Sequence, residues 1–141
     1  MDEKKIILAN LQNFLALMCE WEKNANIELK KIGDITNEKF HAQQIEKRSK
    51  IFGEFVTDKK RKKGGIDDFS IGFPEKYNPE LEKIGEIKID TNKAFVFVEK
   101  NISGNVTKQR KYIFIKINNN WLLDDIYEWA SHNNKWVLMA I

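Results

Sequence analysis

From Ile84 onward the chain is five β-branched and aromatic runs, IGEIKID, KAFVFVEK, TKQRKYIFIKI, NWLLDDIYEWA and KWVLMAI. Nothing else in the sequence restricts the fold as much. Such runs read as strands, and what separates them is short: Asp90-Thr91-Asn92, Asn101 to Asn105, Asn118 to Asn120 and His132 to Asn134. A parallel pairing needs a crossover of about a dozen residues or more, so these short connections favour antiparallel neighbours. Residues 107–117 alone would extend for about 36 Å at about 3.3 Å per residue. A strand of that length in a small domain has to twist or bend, and a bulge is the usual device.

Upstream the apolar period changes from two to 3.6. Ile7, Leu11, Phe14, Met18, Trp21 and Ala25 recur every third or fourth position, with Leu8 and Leu15 widening the stripe, which predicts a helix over 3–31. Lys4, Lys5, Glu20, Glu22 and Lys23 fall mostly off that stripe, and Gly33 follows as a C-cap. Thr36 or Asn37 can cap a second helix reaching Phe55, with Phe40, Ile51, Phe52 and Phe55 on its apolar side. Residues 57–83 are broken by Gly64, Gly65, Gly72, Pro74 and Pro79. Within them FPEKYNPELEKI reads as a turn and then a short helix, with Phe73 and Tyr77 packed inward. Helices followed by an antiparallel meander make an α+β fold, with the helices covering the concave side of a strongly curved sheet. The 141 residues fit one domain, 1–141, and 42% apolar residues with 16 aromatics are enough for its core.

Charge is distributed unevenly. Lys59, Lys60, Arg61, Lys62 and Lys63 form an unbroken basic run, and without it the chain has 19 basic residues against 21 acidic. Asp58, Asp67 and Asp68 bracket the run, and it sits between a helix end and a Gly/Pro-rich segment. It reads as a solvated loop, and a nucleic-acid partner is not expected. The single cysteine, Cys19, cannot form an intramolecular disulfide and lies in an apolar helical stretch, as a buried structural thiol does. KKIILANLQNFLALMC imitates a lipoprotein signal, but Asn10, Gln12 and Asn13 interrupt it, Met18 precedes the cysteine, and Asp2 and Glu3 dilute its basic start. The expectation is a cytoplasmic protein without a membrane partner.

Five segments taken together resemble a known family. FLALMCEWE at 14–22, IFGEFVTDKKRKKG at 51–64, FPEKYNPELEKI at 73–84, NNWLLDD at 119–125 and NKWVLMAI at 134–141 stand in the order seen in bacterial immunity proteins of the nuclear transport factor 2-like, or cystatin-like, cone fold. The resemblance implies a cytoplasmic protein, not an enzyme, that binds and neutralises one cognate toxin of a polymorphic toxin system used in competition between bacteria. It also implies no cofactor. The same fold hosts small-molecule binders and isomerase- or dehydratase-like enzymes, which stand as the alternative function. A homodimer is also compatible with the fold, which often pairs through its open sheet face; the mixed face around Leu122 and Ile126 is where it is expected.

Candidate site residues cluster in 118–141. Strict alternation puts Trp121, Leu123, Asp125, Tyr127 and Trp129 on one face and Leu122, Asp124, Ile126 and Glu128 on the other. If the aromatic face is concave, Asp125 and Tyr127 line a pocket, and a desolvated Asp125 could serve as a general base. Without a visible oxyanion partner the better reading is a hydrogen-bonded member of the sheet, and no catalytic residue is assigned. Asp124 and Glu128 give the segment an acidic balance that would meet a basic toxin surface, and Trp129, near a strand end, is the anchor candidate, although solvent-shielded packing is the better reading of it. Trp21, Trp121 and Trp136 are expected in the core. His41 and His132 are too far apart for a zinc pair, and no metal site is expected.

Overall fold

The computed structural model describes residues 2–72 and 75–141. Helix α1 spans Glu3–Ile32 and α2 spans Glu38–Phe55; strands β1 (Glu82–Asp90), β2 (Lys93–Ser103), β3 (Val106–Ile117), β4 (Asn120–Ala130) and β5 (Lys135–Leu138) follow. Each boundary has a local cause. The Asp2 carboxylate accepts from the Lys4 amide at 3.0 Å, with Glu3 in the first turn and Lys30 and Lys31 in the last, all suited to the helix dipole. Gly33 ends α1 at φ 77°, where a side chain would be strained, and its amide donates to the Leu29 carbonyl at 2.7 Å. Asn37 caps α2 through the Phe40 amide at 3.0 Å.

The sheet runs in the order β1-β2-β3-β4-β5, every neighbouring pair antiparallel, and it curls without closing. The tight turns are made by residues that accept positive φ: Thr91, Gly104, Asn118 and Asn119, with Asn134 before β5. The sheet curls, and the extra residues lie in strands other than the long third one. Register shifts occur between Ile84 and Ile87 of β1, between Asn101 and Ser103 of β2, and opposite the Ile113–Phe114 step of β3. At that step Ile113 faces Asp125 and Phe114 faces Leu123, so Asp124 is the unpaired residue of β4.

That bulge corrects the expected faces of β4. Trp121 and Leu123 lie in the core with Ile126, which is fully buried opposite Tyr112, whereas Asp125, Tyr127 and Trp129 follow the other phase. Leu122 and Ile126 therefore share no face on which a second copy could rest. Two further corrections concern 73–84 and Trp136. No helix forms after Tyr77: a turn at Asn78–Leu81 runs straight into β1. Tyr77 is buried as expected, and Phe73 lies outside the described residues. Trp21 and Trp121 are core, but Trp136 is only half-buried and stands on the outer side beside Trp129.

The core joins Ile7, Leu11, Phe14, Leu15, Met18 and Trp21 of α1 and Ile51, Phe52 and Phe55 of α2 to the inner faces of β2, β3 and β4. Cys19 is buried with them and its thiol is pushed up by that burial. At the end of α2 the chain turns extended: Val56 bridges Leu123 in parallel, and the Thr57 amide donates to the Leu123 carbonyl at 2.9 Å. This stitch fixes the start of the basic loop against the bulge of β4.

Candidate functional site

Three polar or aromatic assemblies surround the sheet. The first is the basic loop and the bulge. Lys59 reaches both aspartates, at 3.1 Å from Asp124 and 3.0 Å from Asp125. Arg61 donates to the Asp124 carbonyl at 2.6 Å and to the Thr57 carbonyl and hydroxyl at 3.0 Å, and it lies 3.8 Å from Asp125. The Thr57 hydroxyl donates to the Asp124 carboxylate at 2.7 Å, and Lys63 donates to the Leu138 carbonyl at 3.3 Å. Burial acts to raise the Asp124 carboxyl, but the Thr57 and Lys59 hydrogen bonds outweigh it and hold it below its usual range. Beside this staple an open cleft of about 990 Å³ lies between α2, the loop and Leu122.

The second assembly fills the space between helices and sheet. The Glu82 carboxylate accepts from the Tyr112 hydroxyl, from Arg110 at 3.3 Å and from the Asn78 amide at 3.0 Å. Arg110 also donates to the Lys76 carbonyl at 2.8 Å, and Lys100 donates to the carbonyls of Glu75 and Lys76. Glu22 accepts the backbone amides of Gly72, Lys76 and Tyr77 at 2.9–3.2 Å, pinning those residues onto α1. Burial raises the Glu22 carboxyl against those amides. Burial and the neighbouring Arg110 charge lower Lys76 to about 8 while its ammonium donates to the Ala140 carbonyl. Arg48 lies over the rings of Trp21, Phe52 and Phe69 and donates to the carbonyls of Gly65, Ile66 and Ile141. The void left among Glu22, Arg48, Lys76 and Tyr77 measures about 30 Å³, room for about one water.

The third assembly is the outer face of the sheet, where Phe95, Phe97, Tyr127, Trp129 and Trp136 are half-buried. Trp129 meets Trp136 edge-on at 5.4 Å, and Phe97 lies 6.2 Å from Trp136.

With this geometry the chain was compared with known proteins. A family model described as NTF2 fold immunity protein matches residues 6–139, from the first turns of α1 past the end of β5. The chain belongs to this family. Neither the curated proteins nor the solved structures gave a match.

In this NTF2 fold immunity protein the residues singled out from sequence are dispersed. Asp125 is not set among apolar groups: it pairs with Lys59 and Arg61, because the bulge turns it toward the loop. Tyr127 stands on the outer face under Lys111, away from the filled interior. Asp124 is committed to Thr57 and Lys59, and Glu128 to Lys108 at 3.1 Å and Arg110 at 3.4 Å. The charges of both acids are thus matched within the chain. Sequence reading missed Glu22, placed off the helical stripe yet 1% exposed, and the pair Glu82 and Arg110. The spacing of Arg110 and Tyr112, two apart on one strand face, is the signal that could have shown a polar group entering the core. Among the described residues no cluster of three or more His, Cys, Asp or Glu could hold a metal ion, and no helix is long and apolar enough to cross a membrane.

Proposed function

We propose that this immunity protein acts in the cytoplasm by binding and neutralising one cognate toxin, protecting the cell that makes both, as part of a polymorphic toxin system. The family match over residues 6–139 carries this reading. The filled interior supports it. Where an enzyme of this architecture would need an open cavity with a positioned acid, Glu22, Glu82, Arg110, Tyr112 and Tyr77 are buried, and the void beside Glu22, Arg48, Lys76 and Tyr77 has room for about one water. A protein built in this way acts through its surface. It holds the toxin by covering the toxin's active site or keeping it out of shape, without catalysing a reaction. Trp129 belongs to the surface available for that contact, while Asp124 and Glu128 could join it only by sharing charges already matched.

The test is genetic and then biochemical. The reading frame next to this protein's own should encode a polypeptide that arrests growth when expressed inside the cell. Co-expression of this protein should restore growth, and the two should co-purify. A neighbouring product that is harmless, or whose toxicity persists with this protein abundant and folded, would sink the proposal.

A further inference from the structure

The outer face differs from the other two assemblies in its cations. Lys111, at the centre of β3, places its ammonium 4.8 Å from the centre of the Trp136 ring, 5.4 Å from that of Tyr127 and 5.9 Å from that of Phe95. Lys93 lies 5.5 Å from Phe95, and Lys88 lies 5.7 Å from Phe97. Among the described residues no carboxylate comes within 4.0 Å of Lys93 or Lys111, and Lys88 meets only Glu86 at that limit. Burial lowers Lys111, and the charge of Lys93 lowers it further. The ammonium is thus partly stripped of water, held by ring faces and lacking an anion.

We propose that this face is where the toxin docks, and that the toxin seats there an apolar segment bearing an aspartate or glutamate whose carboxylate pairs with Lys111. The inference rests on the toxin-binding function proposed above. A carboxylate arriving at Lys111 meets a cation that has already lost part of its hydration, so less desolvation remains to oppose the pair. Around it, five aromatic rings supply the large, stiff contacts that carry most of the energy in protein interfaces. Two other occupants fit less well. A second copy of the chain would bring Lys88, Lys93 and Lys111 against their own kind. A single-stranded nucleic acid needs free ring faces for its bases, but here ammonium groups occupy ring faces and Trp129 packs edge-on to Trp136.

The experiment uses the whole chain and the purified product of the adjacent reading frame, with binding measured by calorimetry. Lys111→Glu should weaken binding by about 100-fold and Lys111→Met by about 10-fold, since the second keeps the stem and loses only the charge. Asp124→Asn should bind as wild type does. Circular dichroism melting of each variant separates a lost contact from a lost fold, and Lys111→Met, which adds no charge to the face, is the safer of the two. If wild type binds and both Lys111 variants bind within about twofold of it, the docking face is wrong and the function stands. If wild type neither binds nor rescues, both proposals fall together. Sedimentation that shows a dimer broken by Lys111→Glu, with toxin binding intact, would make this face a self-interface and overturn the inference. So would salt-sensitive binding of a fluorescent single-stranded oligonucleotide that is lost in Lys111→Glu while toxin binding is unchanged.

Discussion

Two neighbours on β3, Arg110 on the inner side of the sheet and Lys111 on the outer, handle charge in opposite ways. On the inner side Arg110 and Glu82 are 4% and 6% exposed, and each finds a partner of opposite sign together with hydrogen bonds for its remaining atoms. On the outer side Lys111 and Lys93 have aromatic rings and, among the described residues, no carboxylate within 4.0 Å. A charge deep inside has to be satisfied by the chain itself, by an opposite charge as at Arg110 or by carbonyl oxygens as at Arg48 and Lys100, because an unsatisfied one would cost several kcal/mol. A charge on a half-exposed face can wait for a partner, because water still supports it. The inner groups are therefore read as holding the fold, and the outer ones as free to serve binding.

Substitutions can break or sharpen that contrast. Arg110→Met leaves Glu82 without its cation and should lower stability by about 3–5 kcal/mol in urea unfolding at pH 7; a loss below about 1 kcal/mol would show that the inner pair is not the brace described. Glu22→Ala removes the acceptor of three backbone amides and should cost about 3 kcal/mol, with trypsin cutting faster at Lys76. Asp124→Asn should cost about 1–2 kcal/mol and loosen the loop at Lys59 and Arg61. Smallest of all, Lys111→Met should change stability by less than about 0.5 kcal/mol. If it destabilises as Arg110→Met does, the two faces are not different in kind.

The two carboxylates also separate by pH. Glu22 is raised when folded, so its contribution is fully present below its ordinary value of 4.5 and is lost as pH rises through the higher folded value. Asp124 is lowered when folded, so its contribution is present above 3.8 and is lost as pH falls through the lower folded value. The melting-temperature deficit of Glu22→Gln should therefore shrink from pH 4 toward pH 8, and that of Asp124→Asn should shrink from pH 7 toward pH 3. Parallel trends in the two variants would contradict these environments.

Much of the fold was legible because it is written in local rules. The helix ends at Gly33 and Asn37 follow from capping, and all four hairpins follow from short turns rich in Asn, Thr and Gly. What alternation could not show was the residue that interrupts it. Asp124 adds one position to β4, so Asp125 turns toward Lys59 and Ile126 enters the core. The buried polar groups were hidden for a related reason. Glu22 looks like a surface residue until Gly72, Lys76 and Tyr77, outside any helix or strand, bring three amides to it, and no periodicity describes such positions. The basic run drew attention as a motif, yet Lys59, Arg61 and Lys63 are spent on β4 and β5, a long-range pairing that composition cannot reveal.

The bulge at Asp124 has a consequence for what this strand can lose. With that codon removed, Leu123 and Ile126 would still face the core, because the remaining residues alternate in step with β3. The strand would lose its kink, and Lys59 would keep only one of its two aspartates. Removing a neighbour such as Tyr127 instead would turn the rest of β4 inside out. Curvature and loop docking are thus set at a position the core does not need, where the strand can be shortened by one residue without rewriting the interior.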